Sequence, residues 1–114
     1  MMDDRDLYYR INLLEYHQKL LLKLLSNPKL DFYRLVVEKG LNEEQVQNIL
    51  NTCEKMSKKI SEQKEEGFIY FSPLFNEFSS SIPTNLQVKD LISACISQHI
   101  FEPLMREFEK YIEK

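Results

Sequence analysis

The chain has 114 residues, 43 % of them apolar and 29 % charged, a balance that excludes disorder along most of its length and suits one folded domain, 1–114. A formal net charge of −3 lacks the basic excess from which phosphate-backbone binders draw most of their affinity, so nucleic acid is not an expected partner. Only two glycines are present, which excludes a fold built from many tight β-turns.

The first residues, Met1, Met2, Asp3, Asp4, Arg5 and Asp6, form an acidic start with no apolar run behind it, unlike a secretory leader. No segment carries the roughly 20 consecutive apolar residues of a membrane span. The expectation is a cytoplasmic protein with no membrane association.

A first helix is predicted from about Asp4 to Leu25, closed by Ser26, Asn27 and Pro28. At about 1.5 Å per residue it would be roughly 33 Å long. It carries two apolar stripes. Leu7, Ile11, Leu14, Gln18, Leu21 and Leu25 alternate in steps of four and three, the spacing of a coiled-coil seam. Leu13, Tyr16, Leu20 and Leu24 form the other stripe, displaced around the helix. An ordinary surface helix has one such stripe, so two imply two packing partners.

A short second helix is predicted from Asp31 through Phe32, Leu35 and Val36 to Lys39, with Gly40 at the left-handed closing position. Asn42 and Gln45 then form a capping-box pattern that opens a third helix, with Val46, Ile49, Leu50, Cys53, Met56 and Ile60 on its core stripe and Gly67 at its end. Residues 68–71, Phe-Ile-Tyr-Phe, read as a short extended connector. Ser72 and Pro73 read as N-cap and first position of a fourth helix through Leu74, Phe75 and Phe78. Residues 79–83 read as a loop, and Thr84 or Asn85 as the cap of a fifth helix carrying Val88, Leu91, Ile92, Cys95, Ile96 and His99. Glu102 and Pro103 restart the chain into Leu104, Met105, Phe108, Tyr111 and Ile112. The expected class is all-α, a multihelical bundle of five to six helices with a long N-terminal helix and no sheet larger than a two-residue bridge.

Three constellations bear on function. Residues 32–56 read helix, turn, helix, with Val36, Gly40, Leu41, Val46 and Ile49 at spacings like those of a DNA-reading helix-turn-helix. Glu43 and Glu44 would meet the phosphates with negative charge, and Val36 stands where such motifs hold a small residue. An αα-hairpin with a glycine cap is the commoner structure. Catalytic signals are sparse. His17 and His99 lie in no metal or triad motif, no glycine-rich phosphate loop exists, and Cys53 and Cys95 fall on apolar stripes as small core residues. The aromatic run at 68–71, with Phe75 and Phe78, either lines a groove or closes one end of a core.

The stretch Gln63-Lys64-Glu65-Glu66-Gly67-Phe68-Ile69-Tyr70-Phe71, together with Leu14-Glu15-Tyr16, Phe32-Tyr33 and Lys39-Gly40-Leu41-Asn42-Glu43-Glu44, resembles the YhaI-like family of small uncharacterised bacterial proteins. The resemblance is carried by roughly the first two-thirds of the chain, up to Pro83. It implies a multihelical, self-associating protein and supplies no catalytic or binding residues.

The leading expectation is therefore a homo-oligomeric protein-interaction or scaffold module, without catalysis, cofactor or metal. Leu7, Ile11, Leu14, Gln18, Leu21 and Leu25 are the candidate interface. A parallel trimer, with three Gln18 amides around its axis, is favoured over a dimer, and a further protein partner is open. The alternatives are a DNA-associated regulator using 32–56 and an enzyme whose site forms between subunits.

Overall fold

A computed structural model describes residues 4–112. Six helices follow one another: α1 Asp4–Ser26, α2 Asp31–Glu38, α3 Glu43–Glu65, α4 Ser72–Ser81, α5 Val88–Ser97 and α6 Glu102–Glu109. There is no strand among the described residues, as the helical stripes predict. Packing runs α1 on α2, α2 on α5, α5 on α6, α6 on α3 and α3 on α4. In that order α1 is a terminal layer, with one principal neighbour.

The helices form where local signals place them. Asp4 and Asp6 sit in the first turn of α1 and Lys23 in its last, each complementing the helix dipole. Asn27 Oδ1 accepts from the Lys29 N–H at 3.1 Å, a side-chain turn that stops the helix before Pro28. Gly40 closes α2 with φ +66°, its N–H bonded to the Val37 carbonyl and that of Leu41 to the Val36 carbonyl. The predicted capping box is complete: Asn42 Oδ1 accepts from Gln45 N at 2.7 Å, and Gln45 Oε1 accepts from Asn42 N at 2.9 Å. Gly67, at φ +96°, closes α3 as predicted.

Other boundaries differ from the predicted ones. The N-cap of α4 is Phe71, and Ser72 is already helical. Serines 79–81 continue α4, each hydroxyl donating back to a carbonyl three or four residues earlier, of Phe75, Asn76 and Phe78. Those back-bonds keep residues that usually favour loops inside the helix. Neither Thr84 nor Asn85 caps α5. It starts at Val88 after Gln87, and Asn85 Nδ2 instead donates to the Lys39 carbonyl at the far end of α2, 2.8 Å away.

The core is one cluster built from every helix. Phe32, Val36, Leu41, Cys53, Met56, Phe71, Phe78, Leu91, Ile92, Cys95, Met105 and Phe108 are its fully buried side chains. Phe75 and Phe78 both stack near Phe108, with ring centroids 5.8 and 5.1 Å away. Of α1, only Leu20 is buried in the core. The radius of gyration is 16.0 Å and the extents are 55 × 32 × 26 Å. A compact chain of this length would have a radius of about 13 Å, so the molecule is elongated.

Candidate functional site

The two stripes of α1 have different surroundings. At 3.6 residues per turn, Leu13, Tyr16, Leu20 and Leu24 centre about 130° around the helix from the seam stripe. Leu20 is buried in the core, Tyr16 packs against it, and Leu13 and Leu24 are partly covered. The seam stripe has no such cover. Leu7 is 51 % exposed, Ile11 42 %, Leu14 66 %, Leu21 47 % and Leu25 82 %, and Gln18 among them is exposed as well.

Three contacts set this orientation. His17 Nε2 lies 2.8 Å from the Leu41 carbonyl, a geometry in which the ring N–H donates to the oxygen. Asn42 Nδ2 donates to the Tyr9 hydroxyl at 3.3 Å. Lys23 Nζ stands over the Tyr33 ring, 5.3 Å from its centroid. All three residues of α1 lie on the inner half of the helix, so rotating the seam inward would break them together. Burial raises the Tyr16 phenol above its ordinary pKa, with the Glu43 carboxylate and Tyr33 adding to the effect.

Two residues outside the predicted seam widen it. Tyr8 and Leu22 are 68 % and 58 % exposed and flank the same edge. They fall at matching heptad positions, each following a seam leucine, and that signal was readable in the spacing. The result is a continuous apolar face along most of α1, with one amide in its middle.

The aromatic run divides between core and surface. Phe71 and Phe78 are core, and the Tyr111 hydroxyl accepts from the Phe71 N–H at 2.9 Å. Phe68, Ile69 and Tyr70 are exposed. Tyr70 borders an open groove of about 660 Å³ whose lining includes Phe75, Val88, Tyr111, Asn76 and Gln87, with Lys89 its only charged side chain among the described residues.

Cys53 and Cys95 are buried and free, as their stripes predict, and burial pushes each thiol up to about 12. A thiol so raised stays protonated near neutrality and is a weak nucleophile. His99 departs from its predicted place on a core stripe. It is exposed at φ +61° in the turn after α5, with Nδ1 3.3 Å from Glu102 Oε2. The helix had already ended, so the 3.6-residue period no longer applies there. Among the described residues no group of three His, Cys, Asp or Glu side chains is placed to hold a metal ion. No described helix is long and apolar enough to cross a membrane.

Residues 32–56 form α2, a turn and the first part of α3, the helix, turn, helix order read in the sequence. Tyr9 of α1 bonds Asn42 at the opening of α3, and Glu43 and Glu44 are the exposed residues next to it. Further along α3, Lys55 and Lys59 both pair with Glu77, at 3.7 and 3.2 Å, and Lys58 with Glu54 at 3.8 Å. These lysines form no unopposed basic face.

A family model described as a protein of unknown function, DUF1878, matches residues 4–113. The match takes in the last third of the chain, beyond the segments that carry the resemblance seen in the sequence, and so includes α5 and α6. With nearly its whole length matched, this helical chain belongs to the DUF1878 family.

Proposed function

We propose that this protein is a YhaI-like bacterial protein of the cytoplasm that works as a homo-oligomeric interaction module, assembled through the outer face of α1 and without catalysis. The observation that carries this reading is the contrast between the two sides of one helix. The inner stripe packs on the subunit's own core, while five large aliphatic side chains on the outer stripe stand 42–82 % exposed. Fully burying one aliphatic side chain from water is worth roughly 1.5 to 3 kcal/mol, and the exposed part of five of them on each chain offsets the cost of bringing chains together. Gln18 supports the reading too, because a polar residue at a seam position sets strand number and register while lowering stability. Three Gln18 amides can bond around a central axis, which favours a trimer over a dimer.

Sedimentation equilibrium at micromolar protein tests the proposal. The expected result is a single oligomeric species, a trimer first and a dimer second. A monomer at those concentrations would overturn it.

A further inference from the structure

The outer face of α1 also contains information about how its partner lies, a point that rests on the self-association proposed above. The alternating spacing puts Ile11, Gln18 and Leu25 at heptad position a, and Leu7, Leu14 and Leu21 at d. Arg10 then falls at g and Glu15 at e, the flanking positions that set partner orientation. Both are exposed, and among the described residues neither takes part in an ion pair within the subunit. They are five residues apart on one helix, so they do not face each other.

Two orientations bury all six seam residues, and they differ in what they do with the polar ones. With helices parallel and in register, each Gln18 meets Gln18 of the partner subunit, and amide can bond amide. The g position of one helix then faces the e position five residues on in its neighbour, which brings Arg10 to Glu15 of the partner subunit. With helices antiparallel, a meets d. The best overlap then places Gln18 against Leu14 of the partner subunit, leaving a buried amide on an aliphatic side chain. It also places Glu15 against Glu15 of the partner subunit near the midpoint, a like-charge contact. Both polar features penalise the same orientation.

We propose that the partner is a second copy of this chain lying parallel and in register, with the orientation fixed by Arg10 of each subunit pairing with Glu15 of the next and by Gln18 pairing with itself. The pair closes equally well around a dimer or a trimer, so the assignment does not depend on strand number. Its contribution is to specificity more than to affinity, through the penalty on the alternative.

Two measurements on the full chain test this. In the first, Arg10→Glu and Glu15→Arg are made singly and together, and association is followed by sedimentation equilibrium at low salt, with helicity checked by circular dichroism. Each single reversal puts like charges across the interface and is expected to weaken association by about tenfold, and the double swap to restore it. In the second, Leu7→Cys is oxidised under mild conditions. Parallel helices bring the two introduced thiols together and give a rapid intersubunit disulfide, to which buried Cys53 and Cys95 do not contribute. Antiparallel helices hold them about 27 Å apart. An unchanged oligomer that neither responds to the charge swap nor cross-links at position 7 overturns the orientation while self-association stands. A monomeric wild-type chain overturns both.

Discussion

Individual residues show where this chain departs from its local preferences. The turn from α5 to α6 holds His99 at φ +61° and Phe101 at φ +48°, a left-handed conformation that costs an L-residue roughly 1–2 kcal/mol. His99 occupies the closing position that glycine holds after α2 and α3, with its N–H on the Ile96 carbonyl and that of Ile100 on the Cys95 carbonyl. Its contact with Glu102 is exposed and worth little. His99→Gly is therefore expected to raise stability by about 0.5–1 kcal/mol in urea denaturation, the gain being limited by the flexibility glycine brings to the unfolded chain. The two thiols make a prediction about pH. Their pKa rises from 9.0 to about 12 on folding, so the folded state holds its thiol protons over a window in which the unfolded state releases them. Stability falls wherever the unfolded state binds fewer protons, which here means with rising pH from about 9 towards 12. The decline should be about 1 kcal/mol per pH unit for each thiol and should be shallower in a Cys53→Ala, Cys95→Ala variant. Equal slopes for the two proteins between pH 8.5 and 10.5 would contradict this.

At the scale of elements, helix ends are closed partly from within and partly from far away in sequence. α3 starts on its own capping box. α2 has no local cap: Leu30 precedes it, and Gln98 Oε1, arriving from the end of α5, accepts from Phe32 N at 2.9 Å and Tyr33 N at 3.3 Å. Asp31 in the same first turn accepts from Ser97 Oγ at 2.6 Å. The opposite end of α2 is closed by Asn85, and the start of α4 by Tyr111. These bonds lock the order of packing, because each ties one helix end to a segment over 30 residues away. Gln98→Ala removes the acceptor for two backbone donors and should cost about 1–2 kcal/mol in urea denaturation, as much as loss of a local cap such as Asn42→Ala. A loss below a few tenths of a kcal/mol would mean that water replaces Gln98 without penalty.

For the whole molecule, the governing feature is that α1 packs mainly on α2 and lies outside the remaining helices. That position, together with its length, makes the molecule 55 Å long, and it leaves the seam stripe without cover. Leu14→Glu with Leu21→Glu tests whether the stripe is surface or core. Both residues are at least 47 % exposed in the subunit. The double variant is therefore expected to keep its helical circular dichroism spectrum and lose self-association in sedimentation. Collapse of the helical signal would show that these leucines belong to the fold of the subunit instead. Raised salt should weaken association only modestly, since most of the buried area is apolar and ions mainly screen Arg10 and Glu15.

Local signals in the chain specified the all-α class, a bundle of five to six helices and most of their limits. Capping signals, glycine closures and 3.6-residue stripes are local physics, complete within one or two turns of chain. Asn42 with Gln45, and Gly40 and Gly67, were legible for that reason. The sequence also determined that α1 has two apolar faces, since periodicity needs no partner to be read. The alternating spacing marked the seam stripe as the face left for a partner, but what would cover the other face was not legible, because that depends on where α2 and the Leu41–Asn42 turn come to lie, as the bonds to His17 and Tyr9 show. The roles of Gln98, Asn85 and Tyr111 were hidden for the same reason. A polar side chain in an unremarkable stretch acquires a role only when the tertiary structure brings an unpaired backbone group to it. The tertiary structure likewise divided the aromatic run, burying Phe71 and leaving Phe68, Ile69 and Tyr70 in solvent. A short apolar run outside any helix has no period from which its two sides could be told apart.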